Sequence, residues 1–529
     1  MTSPGAFAAV DALLKHSVEQ SVFPGAVALV AGRGGILHQV AVGRHTYDPS
    51  SPLMSVEHTL FDVASLTKVT ATTTVAMLLY QAGTLSLDAL VADAFGPDFA
   101  NSDPRKESMT VRNLLLHNAG FPPDPTPNFC TPSFGCLEEH LPPQQRKLAF
   151  SCQAQILAAV NAQHLDRVPG ARNARRPRRP RSLAPSSHHR VLPLPASLSE
   201  LPVRPVATAA SRLHQHLPPP SRAGLAEVYS DLSMVTLSLL LGRLVRTTGR
   251  VGEAELRADC AAAAATAAAV AAAKLTGGAG RGPQRQLVQP IDQCYYEAYA
   301  RTAVFSRLTD DPSRFVGFRP PRALWSRAAP TWNDTTSGFP GECVLPFRQR
   351  LLQGEVSDGN SYAAGGVAGH AGVFASAAEL HALAAGLLFA PSAASDSRLG
   401  VNCTTAALFT RAHNLSQSSR ALGWDTNDYV ANSYRGCANL SATTFTHTGY
   451  TGTQICADPG RELITVLLTN RVYPDADEMS LHKIHAARQA FNNAVKDAVD
   501  GPTPTPTPTQ FPTPTPTPTQ TQTQTQRRR

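Results

Sequence analysis

Apolar positions recur at helical spacing near both ends of this chain, and between those helices lie short apolar runs of strand length. An amphipathic helix is predicted from about Phe7 to Gln20. Two strands follow, Ala26 to Ala31 and Ile36 to Val42, joined through Gly32 to Gly35. Toward the other end Thr443 to Gly449, Gln454 to Ala457 and Glu462 to Thr469 read as further strands, with Asp458-Pro459-Gly460 as a hairpin turn. A helix from about Glu478 to Val499 closes the pattern. The middle, from Ala64 to roughly Leu388, is mostly helical. It contains a helix from Ala64 to Gln81, rich in Ala, Leu, Met and Thr with Gly83 as its stop, and another from Ser376 to Leu388. Strands from both chain ends around one antiparallel sheet, with a helical lobe between them, predict an α+β fold.

Several stretches are unfit for a core, so the 529 residues reduce to one large domain, about 1–499. Ala171 to Arg222 is rich in Arg, Pro, Ser and His, with ten arginines against one acid. It reads as a solvated loop, either a flexible insertion or translated non-coding sequence. A second interruption, about 253–288, holds the alanine run Ala261 to Ala273 and the glycine-rich Gly277 to Gly282. The tail, 500–529, alternates Pro with Thr and then Gln with Thr, an unpacked stalk or linker.

The formal net charge of +8 belongs to the first insert and to Arg527-Arg528-Arg529, leaving the remainder at about −4. The basic balance is therefore no argument for a nucleic-acid partner. The alanine run is too short and weakly apolar for a membrane span. Asp11 and Lys15 interrupt the one apolar candidate for a leader, Ala6 to Leu14, so a cytoplasmic location is the expectation. Nine cysteines without metal spacing imply no complete disulfide framework.

Candidate chemistry lies in three strings: Ser65-Leu66-Thr67-Lys68, Tyr229-Ser230-Asp231 and His447-Thr448-Gly449. A serine hydroxyl needs a base within reach and donors aimed at the oxyanion it generates. On a helix, Ser-x-x-Lys puts the lysine amine one turn from the hydroxyl. Ser480-Leu481-His482-Lys483 matches the same pattern, but no partner strings follow it, and it reads as a solvated helix face. His117, at the end of a Leu-rich segment, reads as a packed residue bonded to a helix terminus. The glycines from Gly365 to Gly372 around His370 read as a close backbone approach, since no Gly-Lys-Ser/Thr follows. Gly-x-Ser-x-Gly, His-Glu-x-x-His and Cys-x-x-Cys are absent, which argues against an α/β-hydrolase elbow and a zinc site.

With these strings the chain resembles the serine β-lactamase and penicillin-binding protein family, in the branch of class C β-lactamases, D-alanyl-D-alanine carboxypeptidases and related esterases. Further blocks agree: Leu60 to Lys68, Leu114 to Gly120, Val168-Pro169-Gly170, Gly366 to Phe374 and His447 to Thr453. The resemblance implies a β-lactamase/transpeptidase-like fold with the site between sheet and helical lobe. Ser65 resembles the nucleophile, and Lys68 and Tyr229 the pair that moves the proton, either of them the base. His447, Thr448 and Gly449 resemble the strand lining the site, so the N–H groups of Tyr450 and Ser65 are the implied oxyanion donors. No metal and no cofactor are implied.

Two departures stand out. His447 replaces the usual lysine, and a neutral imidazole attracts a substrate carboxylate less than an ammonium does. Asp231 replaces the usual asparagine, removing an amide donor and placing an anion near Lys68, which favours the charged lysine. In that case Tyr229 is the better base, with Lys68 a permanent cation lowering the tyrosine's pKa. The expected activity is a serine hydrolase acting on an ester or amide of a small molecule or peptide, tilted toward esterase or peptidase. The alternative is a non-catalytic scaffold or binding protein.

Overall fold

The computed structural model describes residues 5–131, 134, 152–170, 228–260, 292–334, 348, 350–413, 420–427 and 436–501. The arginine-rich 171–222 insert, the alanine and glycine runs of the second interruption and the tail beyond 501 lie outside the described residues. Of that second interruption, residues 253–260 are described, and Cys260 there is disulfide-bonded to Cys294.

The described strands are β1 (Gly25–Gly32), β2 (Gly35–Gly43), β3 (Phe61–Asp62), β4 (Gly317–Phe318), β5 (Val373–Ala375), β6 (Asp425–Thr426), β7 (Phe445–Thr448), β8 (Gln454–Asp458) and β9 (Leu463–Thr469). Six of them form an antiparallel sheet in the order β2-β1-β9-β8-β7-β6, so the two chain ends meet at the β1–β9 pair. Ala28 of β1 lies opposite Leu467, and His447 of β7 opposite Ile455. The predicted hairpin turn is present between β8 and β9, with Asp458 Oδ1 accepting from the Gly460 N–H at 2.8 Å.

Alternation in β1 divides the interior. Val27, Leu29 and Ala31 pack with Leu66, Val69 and the helical lobe, while Ala26, Ala28 and Val30 pack with the N-terminal helix Ala8–Glu19 and the C-terminal helix Glu478–Asp500. The central strands are thus covered on both faces, an α+β arrangement, while the edge strand β2 stays largely open.

The lobe departs from the predicted helices in two ways. A second sheet, in the order β3-β5-β4, is embedded in it. The helix expected over Ala64 to Gln81 is three segments: a 3₁₀ turn at Ala64–Leu66, a π-helical stretch at Lys68–Thr73, and an α-helix only from Thr74 to Gln81. The remaining prediction there is met, with an α-helix at Ala377–Leu388 capped by Ser376.

The cysteine expectation is corrected. Cys260–Cys294 and Cys437–Cys456 are bonded, Cys130 and Cys152 are also disulfide-bonded, and Cys403 is the free cysteine among the described residues. Spacing concealed these pairs because the fold, and not the sequence interval, brings the partners together. Among the described residues no helix is long and apolar enough to cross a membrane.

Candidate active site

Ser65 stands where β3 turns into the lobe. The turn forces Ala64 to φ +47°, a conformation costly for any residue with a Cβ. Asp62 holds it there: Oδ1 accepts from the Ala64 N–H at 2.9 Å, while Oδ2 accepts from the Ser357 N–H and hydroxyl, both at 2.7 Å. Lys68 opens the π-helical stretch that follows the 3₁₀ turn, three residues on from Ser65. Lys68 Nζ donates to Ser65 Oγ at 2.8 Å and to the His370 carbonyl at 3.2 Å. The π stretch that follows keeps Thr72 Oγ1 on the Gly369 carbonyl at 2.6 Å and on the Tyr296 hydroxyl at 2.7 Å.

Asp231 opens the lobe helix Asp231–Thr247, capped by Ser230, and Tyr229 immediately precedes the cap. Three residues around the tyrosine are pinned to the Leu114–Pro123 region. Val228 N–H donates to the His117 carbonyl at 3.0 Å, Ser230 N–H to His117 Nδ1 at 3.1 Å, and Asp231 N–H to the Pro123 carbonyl at 2.8 Å. The His117 ring stacks on the Tyr229 ring with centroids 5.0 Å apart. His117 is therefore packed, as expected, but what it packs against is the site itself.

Lys68 Nζ lies 4.7 Å from the Tyr229 ring centroid, and the phenol is close enough to Lys68 and Ser65 for both to favour its ionised form. Asp231 Oδ1 is 2.6 Å from Lys68 Nζ, an ion-pair contact without the angle of a good hydrogen bond. The structure thus brings Ser65, Lys68, Tyr229 and Asp231 together.

His447, on β7, is buried, with its ring centroid 6.3 Å from that of Tyr229. Its Nδ1 is 2.9 Å from the Thr448 carbonyl, which can only accept, so the neutral ring carries its proton on Nδ1 and leaves Nε2 a lone pair. Gly449 must be glycine because a Cβ there would overlap Thr453 Oγ1 and the Val63 carbonyl. The turn after it is stapled to the nucleophile segment, Thr451 Oγ1 donating to the Asp62 carbonyl at 2.7 Å and Thr453 Oγ1 to the Val63 carbonyl at 3.0 Å. Tyr450 and Thr448 lie on this same stapled segment.

Charge is distributed unevenly. Burial opposes a charged Lys68, but Asp231 and then Tyr229 outweigh it, and its pKa is raised. Burial raises the Tyr229 phenol; Lys68 lowers it, Asp231 raises it again, and the net direction is upward. The sequence expectation that Lys68 lowers this tyrosine holds for the lysine's own contribution, but burial and Asp231 reverse the sum. Burial, then Arg420 and Lys68, hold His117 well below the ordinary imidazole range; for His447 the causes are burial, Lys68 and Arg420.

His370 behaves oppositely: burial disfavours its charge, but Asp358 at 3.0 Å and the Asp231 charge raise it. Asp124 is pushed up to about 7 by burial and by Asp231 and Asp358. Ligand-type atoms of Asp231, Asp358 and His370 lie within 4.8 Å of one another, but each is already engaged, Asp231 with Lys68 and Asp358 with His370.

Sequence reasoning missed the place of His370, whose carbonyl holds Lys68, although it located the glycine approach around it. A Cβ on Gly369 would overlap the Met234 carbonyl, so this segment does pass against the Asp231–Thr247 helix. Ser480, the decoy, is not a bare solvated face: its Oγ accepts from the buried Arg471 at 2.7 Å.

A Ser-x-x-Lys turn with a tyrosine just ahead of a second helix, facing a strand of an antiparallel sheet, defines the class of folds built around an activated serine. The chain belongs to the Beta-lactamase family, whose model matches residues 10–174 and 193–489. Among curated proteins it is 33% identical over 156 residues, 29% of this chain and 34% of the relative, to an N-acetylmuramyl-L-alanine amidase of Bacillus subtilis. It is 28% identical over 191 residues, 36% of this chain and 42% of the relative, to an Escherichia coli K12 protein named "Putative D-alanyl-D-alanine carboxypeptidase". The chain thus spans less than half the length of these two relatives. Among solved structures a penicillin-binding protein homolog from Caulobacter crescentus superposes with TM-score 0.51 at 16% identity, covering 94% of this chain and 99% of that one. That likeness supports the fold.

Proposed function

We propose that this chain is a serine hydrolase that cleaves an ester or amide through an acyl-Ser65 intermediate. The observation that carries the reading is the contact of Lys68 Nζ with Ser65 Oγ at 2.8 Å, with the Tyr229 ring centroid 4.7 Å from the same nitrogen. Lys68 and Tyr229 are both held toward their protonated forms, so the pair first gives up one proton to solvent. As Ser65 Oγ then bonds to the substrate carbonyl carbon, its proton passes to the pair and the carbonyl oxygen becomes the oxyanion. The N–H groups of Ser65 and Tyr450 would hold that oxyanion. Collapse breaks the bond to the leaving alcohol or amine, which takes the proton from the pair. Water then attacks the acyl carbon, its proton goes to the pair, and Ser65 leaves as the hydroxyl.

The neutral, buried His447 favours acyl donors without a carboxylate at that position, because its Nε2 lone pair cannot donate to an anion. Small esters and neutral amides therefore rank above penicillins and above peptides whose terminal carboxylate would sit there. His447, Thr448 and Gly449 line the substrate strand, and Asp231 sets the charge of Lys68. The disulfides favour an oxidising compartment over the cytoplasmic default. Residues 1–499 form the catalytic domain in this reading, with 500–529 a tail.

The test incubates purified protein and Ser65→Ala with a fluorophosphonate and, separately, with a fluorescent penicillin. Serine-dependent labelling by the phosphonate, with weak or no labelling by the penicillin, is the expected result. Absence of phosphonate labelling in folded protein overturns the assignment.

A further inference from the structure

Behind the turn that carries Tyr450 lie two guanidiniums that acyl transfer, as written above, does not use. Arg471 follows β9 and Arg488 projects from the C-terminal helix; they are 2% and 3% exposed. Arg488 Nη2 donates to the carbonyls of Gly449 at 2.8 Å and Thr453 at 2.9 Å. Arg471 Nε donates to the Tyr450 carbonyl at 2.8 Å, and its guanidinium carbon lies 4.5 Å from the Tyr450 ring centroid. Three carbonyls of one five-residue turn are thus held by buried cations.

Neither arginine has a carboxylate within ion-pair distance among the described residues; their partners are neutral carbonyls and the Ser480 hydroxyl. Burial lowers the Arg471 guanidinium to about 10, Arg488 adding to the fall and Tyr450 and the more distant Asp477 opposing it. Uncompensated buried charge costs several kcal/mol, so an arrangement that keeps two such cations side by side calls for a reason.

Peptide geometry supplies one. In a trans peptide the C=O and N–H of one unit point in opposite directions. Arg488 lies in the helix layer on one face of the sheet, packed with the Ile484 and Phe491 core, whereas Ser65 opens the lobe packed on the other face. Drawing the Gly449 carbonyl to Arg488 therefore turns the N–H of Tyr450, in the same peptide unit, toward the Ser65 side. A cation on the carbonyl also polarises that unit, strengthening its N–H as a donor.

We propose that Arg488, supported by Arg471, is a positioning residue for transition-state stabilisation: it fixes and polarises the Gly449–Tyr450 peptide so that its N–H receives the oxyanion formed at Ser65. This rests on the acyl-Ser65 reading. Among the described residues neither charge is in ion-pair contact with a carboxylate, Asp477 acting on Arg471 only from beyond that distance, and the anion they face arises only during reaction, which is how preorganised electrostatics lowers a barrier.

The experiment uses the full chain with Arg488→Met, Arg488→Lys and Arg471→Lys, a p-nitrophenyl ester as substrate, and a boronic acid whose Ser65 adduct carries a tetrahedral anionic oxygen group. Removing one oxyanion donor typically costs about 10²–10³-fold in kcat, and a mispositioned donor somewhat less. Arg488→Met is expected to lose roughly 10–100-fold in kcat with KM changed less than about threefold, and to weaken the boronic acid in the same proportion. Arg488→Lys recovers part of both.

Unchanged kcat in a folded variant, or a loss carried by KM with boronic acid affinity intact, overturns the proposal. If Arg488→Met does not fold, the two lysine variants decide on the same readouts. Wild-type protein whose Ser65 labels with a fluorophosphonate while these variants keep full kcat sinks this proposal alone. A wild type that does not label sinks the acyl-Ser65 reading, and this one with it.

Discussion

Asp231→Asn isolates the effect of one charge on the reacting pair. In the wild type the carboxylate is 2.6 Å from the Lys68 ammonium, both groups being largely or wholly buried. At an effective dielectric of about 20, Coulomb's law gives about 6 kcal/mol for that pair, an upper bound on what the substitution removes. The amide retains a dipole and the site relaxes, so the realised effect is that of a neighbouring opposite charge, about 1–3 pH units, or about 1.4–4 kcal/mol.

The sign follows from both candidate bases. Asp231 favours protonated Lys68 and disfavours the Tyr229 phenolate, so it raises the pKa of each. Removing the anion lowers both, whichever group takes the Ser65 proton. The ascending limb of kcat/KM against pH therefore moves down by about 1–3 units in Asp231→Asn. The assay is steady-state hydrolysis of a p-nitrophenyl ester across pH 5–10 with correction for spontaneous hydrolysis. A limb that stays in place or moves up refutes the electrostatic argument. Loss of activity at every pH in a folded variant refutes it too, since the carboxylate would then be taking the proton itself.

Two further outcomes are expected. Gly369→Ala forces a methyl into the Met234 carbonyl, and overlap with rigid backbone is expected to lower stability by more than about 2 kcal/mol, read by urea unfolding. Cys456→Ser opens a bond that closes a 19-residue interval and is expected to cost about 3 kcal/mol, seen as a lower thermal midpoint that reducing agent reproduces in the wild type; equal midpoints would show the bond is not formed.

Much of the frame could be read before the structure. β1, β2, β8 and β9 are five to nine residues of continuous or alternating apolar character, and burial by helices on both faces is what the continuous runs of β1, β8 and β9 require. The Ser-x-x-Lys turn, Tyr229, Asp231 and the His447 strand were legible because acyl transfer demands those groups and the family strings fix their order.

The rest was hidden for physical reasons. β3, β4 and β5 are two or three residues long, too short to show any periodicity. The break between Ala64 and Thr73 is invisible to composition, because Ala, Leu and Thr tolerate 3₁₀, π and α geometry alike. His117 and His370 act on the site through backbone and ring contacts made by tertiary approach, and a lone histidine shows neither. Arg471 and Arg488 carry no signal of their place in the sequence, since nothing local marks an arginine whose partners are carbonyls of a distant turn.

The central claim is that Ser65 carries the acyl group. Mixing the protein with a p-nitrophenyl ester, quenching in acid within milliseconds and mapping the acylated peptide by mass spectrometry tests it most directly. The account predicts a p-nitrophenol burst approaching one per molecule, with the acyl mass on the peptide containing Ser65 and absent in Ser65→Ala. Acyl mass on another residue, Ser480 included, or hydrolysis that survives Ser65→Ala, would contradict it.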